Sequence, residues 1–81
     1  MPRMKVLSGK DLADIFSSFG FHIIDQNGSH AKLRRYQDGV KQTLTVPVHK
    51  EMDKGLLKAI FIQASSYIPE KELKSYFYME N

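Results

Sequence analysis

The chain has no cysteine and no tryptophan among its 81 residues. The lack of cysteine excludes a disulfide framework and any cysteine-ligated metal site. No uninterrupted apolar stretch is long enough for a signal peptide or a membrane span. We therefore expect a cytoplasmic protein that has no membrane partner and needs no disulfide.

Positive charge is concentrated in the middle of the chain. The formal net charge is +3, and residues 30–58 contain seven basic residues against three acidic ones. The seven are Lys32, Arg34, Arg35, Lys41, Lys50, Lys54 and Lys58. A basic segment of this kind predicts a basic face that attracts phosphate groups, and therefore a nucleic acid as partner.

The length allows one domain with a thin core, which we place at residues 1–81. Ser8 and Asp11 have the spacing of a capping box, which predicts a first helix over 9–19 that stops at Gly20. Strands are predicted at 21–26, 30–37 and 41–48.

A second helix is predicted to begin after Asp53 and run to about Ser65, and Pro69 is predicted at the first position of a short third helix. The element order is thus α-β-β-β-α, an α+β fold with a three-stranded antiparallel sheet and both main helices on one face. The main part of this domain covers about residues 8–65, and residues 66–81 form a C-terminal extension.

The Asp38-Gly39 pair predicts a two-residue turn, and this turn sets the register of the second hairpin. Counting outward pairs Leu33 with Leu44 on the buried face. The other pairs are Ala31 with Val46 on that face, and Tyr36 with Lys41, Arg34 with Thr43 and Lys32 with Thr45 on the wet face. A slip of one residue in this register would place the charged side chains of the wet face in the core.

The first hairpin allows two registers. A two-residue Asn27-Gly28 turn places Asp25 opposite His30 and exposes Phe21 and Ile23. A three-residue turn that includes Ser29 places Gln26 opposite His30 and buries both apolar side chains. We prefer the second, because burying two large apolar side chains stabilises by roughly 3–6 kcal/mol. Whether Asp25 or Gln26 neighbours His30 stays open.

Gly28-Ser29-His30 begins the strand with the most informative pattern. Alternation places His30 on the same face as Lys32, Arg34 and Tyr36. Imidazole titrates near neutral pH, cations attract phosphate, and an aromatic ring can stack on a base. The pattern therefore suggests RNA chemistry, with His30 as the catalytic candidate.

Six residues are candidates for RNA binding: Gly28, Ser29, Lys32, Arg34, Tyr36 and Lys41. Gly28 suits a positive φ in the turn and leaves room for a phosphate. Ser29 can donate a hydrogen bond to a phosphate oxygen or simply form the turn. For Lys32, Arg34 and Lys41 the alternative is a solvated strand surface, and Tyr36 can instead cover Lys41.

The remaining histidines and the aromatic residues near the C-terminus indicate less specific roles. The aromatic residues, which we call the tail, are Tyr67, Tyr76, Phe77 and Tyr78. His49 is interpreted as a structural residue at the end of the third strand, since two histidines without a carboxylate or cysteine form a poor metal site. His22 is interpreted as incidental. In the tail, we favour packing for Phe77, and a partner surface remains open for the tyrosines.

Four sequence motifs in order resemble the HicA family, the small RNA-cleaving toxins of bacterial toxin–antitoxin pairs. The resemblance covers about Ser8 to Ser65. The motifs are a capped helix ending in Phe19-Gly20-Phe21, then Gly28-Ser29-His30, then Val46-Pro47-Val48-His49, then Gly55-Leu56-Leu57 leading to Ile60.

The resemblance implies a fold like the double-stranded-RNA-binding domain and cleavage of messenger RNA without a metal or cofactor. It also implies a catalytic histidine at position 30 and inhibition by a HicB-like antitoxin. DNA would be contacted only through the antitoxin complex. A non-catalytic RNA-binding module of the same fold and a protein adaptor are the alternatives.

Two positions depart from the family pattern. Asp25-Gln26-Asn27 stands where a basic residue is frequent, and Leu56 stands where threonine is usual. The first change lowers the positive potential near His30, and we expect it to weaken RNA affinity or activity.

Overall fold

The computed structural model describes residues 3–79. Its elements are α1 (Gly9–Ser18), β1 (His22–Asn27), β2 (His30–Gln37), β3 (Val40–Pro47), α2 (Lys54–Ala64) and α3 (Glu70–Phe77). The three strands form one antiparallel sheet in the order β1-β2-β3. This confirms the predicted α+β class and the likeness to a double-stranded-RNA-binding domain.

Local signals set the ends of α1. The Ser8 side chain accepts a hydrogen bond from the Asp11 amide, and the Asp11 carboxylate accepts one from the Ser8 amide, so the capping box is confirmed. The helix ends at Ser18, with Phe19 as C-cap, and Gly20 follows at a φ of 92°. Only glycine adopts that conformation without strain.

The β2–β3 register is the predicted one, pair for pair, from Gln37 opposite Val40 to Ala31 opposite Val46. Asp38 and Gly39 have φ values of 52° and 79°, as a two-residue hairpin turn requires.

Next to the turn, the predicted β1–β2 register is wrong in both of its forms, whereas the preferred form gives the observed pairs His22–Arg34 and Ile23–Leu33 at the start of β1. The turn consists of Gly28 and Ser29, so Asn27, rather than Gln26 or Asp25, lies opposite His30. A β-bulge between Ile23 and Asp25 shifts the pairing. The prediction assumed that Phe21 and the turn belong to one unbroken strand, and the bulge separates them.

Of the two apolar side chains predicted to be buried, only one lies in the core. Phe21 is fully buried just before β1, whereas the Ile23 side chain is 54% exposed. Every residue of β1 is exposed, and this strand lies at the edge of the sheet.

One hydrophobic core lies between the helices and the inner face of the sheet, by which we mean the face of Ala31, Leu33 and Leu44. Residues of the C-terminal extension contribute to this core, since Leu73 and Phe77 are fully buried. This confirms packing for Phe77. Tyr67 and Tyr78 pack against the same core, and Tyr76 remains 39% exposed.

Pro69 is the N-cap of α3 and not its first residue, so the helix begins one residue later than predicted, at Glu70. The N-terminal segment joins the same region, because the Lys5 amide donates to the Phe77 carbonyl at 2.7 Å. Among residues 3–79, no helix has the length and apolarity needed to cross a membrane.

Arg35 is the one cation on the inner face of β2. Its guanidinium donates to the carbonyl oxygens of Phe19 at 2.8 Å and Tyr67 at 2.9 Å, and its Nε donates to Gln42 Oε1 at 2.7 Å. Its Cζ lies 4.7 Å from the centroid of the Phe21 ring, within the range of a cation–π interaction. Arg35 thus connects the end of α1, the turn after α2 and the sheet.

Replacing Arg35 by methionine should lower the free energy of unfolding by about 2–3 kcal/mol, because three charge-assisted hydrogen bonds and the ring contact are lost. Urea denaturation measures the change. The matched control is Arg34→Met on the opposite face, where the guanidinium Nε donates to Thr43 Oγ1. Equal losses for the two variants would contradict this role of Arg35.

Asp11 makes part of the stability of α1 depend on pH. The Ser8 amide, and then the Ser8 hydroxyl, hydrogen-bond the carboxylate and hold the pKa of Asp11 below its ordinary value of 3.8. Because the folded state favours the charged form, the stabilisation is complete above that ordinary value. It is lost as the pH falls through the lower pKa of the folded state.

The stability difference between the wild type and Asp11→Asn should therefore stay constant from pH 7 to about pH 5 and shrink toward pH 2.5. Urea denaturation at a series of pH values measures it. Asp14→Asn serves as control, since this carboxylate lies 3.5 Å from Lys10 Nζ on the same helix. A difference that is unchanged at pH 2.5 would contradict the assignment.

Candidate functional site

The face of the sheet that the helices leave open presents the candidate site residues. We call it the outer face: His30, Lys32, Arg34 and Tyr36 of β2 with their cross-strand partners. Those partners are His22, Asp25 and Asn27 of β1 and Lys41, Thr43, Thr45 and Pro47 of β3. His30 and Lys32 are exposed, Arg34 is partly buried, and Tyr36 is 67% exposed.

His30 is the first residue of β2, and the backbone around it is held on both sides. It pairs with Asn27 on one strand and Pro47 on the other. The Val48 amide donates to the Ser29 carbonyl at 2.6 Å, which continues the sheet contacts past the end of β3. The imidazole therefore projects into solvent from a well-supported backbone.

A shallow depression of about 160 Å³ opens beside His30. Its lining residues are Asp25, Asn27, His30, Ala31, Lys32 and Thr45. One imidazole, one carboxylate and one ammonium group thus border the same small space. Such a set can transfer protons and can neutralise the charge of one phosphate group.

Ser29 lies close to the imidazole. Its Oγ is 3.5 Å from Nδ1 of His30, at the outer limit of a hydrogen bond. An exposed ring with a neighbour at Nδ1 leaves Nε2 as the nitrogen that can meet an incoming group.

Gly28 has a φ of 63°, and a Cβ built on it would meet no atom within 4 Å. Glycine therefore suits position 28 because the turn needs a left-handed backbone conformation there, and not because a side chain would lack space. The open space around it leaves the approach to His30 unobstructed.

The other predicted contacts follow β2 away from His30. The Arg34 Nε donates to Thr43 Oγ1 at 3.2 Å, which orients the guanidinium along the sheet surface. Lys41 is exposed opposite Tyr36, at the far end of the hairpin. The structure thus brings His30, Ser29 and Lys32 together and places Tyr36 and Lys41 at a distance from them.

His49 lies outside the depression. It is exposed in the segment after β3, and its carbonyl oxygen accepts a hydrogen bond from the Gly9 amide at 2.8 Å. His22 lies on the outer face opposite Arg34. Within residues 3–79, no group of three or more His, Cys, Asp or Glu side chains could hold a metal ion.

The places of two residues, Asp25 and Arg35, are not evident from the sequence. One of the two predicted registers sets Asp25 opposite His30, but the bulge that brings it to the depression has no signal in the sequence. Arg35 was counted with the basic residues. Its place two residues after Leu33 on an alternating strand was a usable signal that it faces the helices.

The fold and the exposed histidine define a class: a small α+β domain of the double-stranded-RNA-binding type with its ionisable groups on the open sheet face. The family described as the HicA toxin of bacterial toxin–antitoxin systems matches residues 9–65. The chain belongs to this family of toxins. No curated protein and no solved structure matches it.

Proposed function

We propose that this toxin is a cytoplasmic, metal-independent endoribonuclease that cleaves messenger RNA with His30 as general acid or base. The observation that supports the proposal best is the exposed imidazole of His30 beside Lys32, on an open sheet face of a HicA-family chain.

His30 would act on the ribose-phosphate linkage, either by taking the proton of the 2′-hydroxyl or by giving one to the leaving 5′-oxygen. General acid–base catalysis of this kind contributes about 10²–10⁴-fold, or roughly 3–5 kcal/mol. Efficient enzymes lower their barriers by more than this, so orientation and nearby cations must supply the rest. We therefore expect slow turnover.

RNA binding would use the cations of the outer face. Lys32 and Arg34 follow His30 on the same side of β2, over about 13 Å of strand. They and Lys41 are proposed phosphate contacts, with Tyr36 as a stacking partner for a base at the end of this row. Gly28 and Ser29 would let a phosphate approach the turn.

A HicB-like antitoxin would inhibit the enzyme by covering His30 and the outer face. An active site on an open sheet surface has no cleft to exclude a protein partner, so a flat contact can block it completely. DNA would be contacted only through that complex.

Replacing His30 by alanine should reduce the rate of RNA cleavage by at least about 100-fold and relieve the growth arrest caused by the toxin expressed alone. Cleavage of a labelled RNA in the presence of EDTA measures the rate. His49→Ala is the matched control, because it removes an exposed imidazole outside the depression. A His30→Ala protein that cleaves as fast as the parent would refute the proposal.

A non-catalytic RNA-binding module is the second candidate, and the cations of the outer face favour it. Such a module would keep its phenotype after His30→Ala and lose it when Lys32 and Arg34 are both replaced. The enzyme would lose its phenotype in the first variant.

Replacing Lys32 and Arg34 by alanine in a His30→Ala background should weaken binding to single-stranded RNA and reduce its salt dependence. Each phosphate contact contributes about −0.7 to the slope of log K against log salt concentration, so loss of two contacts changes the slope by about 1.4. Fluorescence anisotropy over a salt series measures it.

The control for this pair is Lys71→Ala with Lys74→Ala, two exposed lysines of α3, which packs into the core on the helix side. It removes the same charge. Equal changes of slope for the two double variants would assign the effect to net charge alone.

A further inference from the structure

The β-bulge in β1 determines which face Asp25 occupies. Ile23 pairs with Leu33 on the inner face, and the next pair along the ladder is Asp25 with Lys32 on the outer face. Ile24 is the extra residue. Without it, continued pairing from Ile23 would place Asp25 opposite Ala31, on the inner face.

Core packing does not explain this bulge. Ile23 and Ile24 remain 54% and 47% exposed, so the irregular strand buries neither of them well. Bulges are frequent next to active sites, where they re-aim a side chain. Here the re-aimed side chain is the carboxylate of Asp25, and it lines the same depression as His30.

Asp25 and His30 occupy diagonal positions on the outer face. His30 lies opposite Asn27, and Asp25 lies opposite Lys32, two residues further along each strand. Diagonal neighbours in an antiparallel pair are about 7–8 Å apart at the backbone. Two side chains at this spacing can contact opposite sides of one phosphodiester, with the Lys32 ammonium beside it.

The Asp25 carboxylate is not committed to another charge. Among residues 3–79 the one ion pair within 4.0 Å joins Lys10 and Asp14. The charged or titratable groups on the outer face around Asp25 are Lys32 and His30, with His22 and Arg34 in the next row.

We propose that Asp25 is a second catalytic residue, the general base that takes the 2′-hydroxyl proton, and that His30 is the general acid. This assignment rests on the proposed ribonuclease function. Cleavage of RNA by its own 2′-oxygen requires two proton transfers, and one imidazole supplies only one of them at a time. A carboxylate is ionised at neutral pH and accepts a proton, while imidazole can be protonated there and donate one.

In this step Asp25 takes the proton of the 2′-hydroxyl, and the 2′-oxygen forms a bond to phosphorus. The bond from phosphorus to the 5′-oxygen breaks, and protonated His30 gives its proton to that oxygen. The products are a 2′,3′-cyclic phosphate and a 5′-hydroxyl. Asp25 ends protonated and His30 neutral, and exchange with solvent restores both at this open site.

The first test compares Asp25→Asn with Asp38→Asn. Both variants exchange a carboxylate for an amide and raise the net charge by one, but Asp38 lies in the β2–β3 turn. Asp25→Asn should lower kcat by at least about 100-fold, and Asp38→Asn should leave kcat unchanged. A rate for Asp25→Asn that equals or exceeds that of Asp38→Asn would overturn the proposal.

The second test separates the two roles with an RNA oligonucleotide whose bridging 5′-oxygen at the cleavage site is replaced by sulfur. A thiolate leaves without needing a proton, so this substrate should restore cleavage by His30→Ala and not by Asp25→Asn. Rescue of Asp25→Asn instead would reverse the roles and overturn the assignment of the base.

The outcomes distinguish this inference from the proposed function. If the wild-type protein does not cleave RNA, or cleaves it without needing His30, the ribonuclease proposal fails and the role of Asp25 fails with it. If cleavage needs His30 but is indifferent to Asp25→Asn, only the second catalytic residue is refuted.

Discussion

The alternation of side chains along β2 is the constraint on which the rest of this structure depends. β2 is the central strand, and both of its neighbours must match its phase. Ala31 and Leu33 point into the core, while His30 and Lys32 point into solvent. A change of register by one residue would bury an ammonium group and expose two core side chains, so the same pairing that forms the core also forms the open face.

The alternation along β2 places the charged side chain of Arg35 on the inner face, where the structure accommodates it. The guanidinium lies at the end of the inner face, where two backbone carbonyls and the Phe21 ring receive it. These contacts tie the end of α1 to the turn after α2. Buried or half-buried charges are tolerated when every donor has a partner, and here that requirement also orients two helices on one side of the sheet.

The candidate site differs from the surroundings of Arg35, because its charged side chains are exposed to water although the sheet holds their backbone. The strands hold the backbone of His30 on both sides, and the side chain is exposed. In the proposed mechanism this openness limits the electrostatic advantage of the site, because water screens the charges of Lys32 and Asp25. It also makes the site easy to block with a protein surface, which suits a toxin controlled by an antitoxin.

The sequence by itself determined those features that arise from contacts a few residues apart. The Ser8–Asp11 capping box, the stop at Gly20 and the register across Asp38–Gly39 each depend on local backbone preferences, and each was predicted correctly. The exposure of His30 on a basic face follows from that register. Tertiary structure alone decided the phase of β1 after Ile23, because an edge strand with two adjacent isoleucines has no clear alternation and pairs on one side only. Its bulge, the Gly28–Ser29 turn and the partners of Arg35 therefore depend on how distant parts of the chain compete for the same inner face. The same competition places Asp25 and His30 beside one depression.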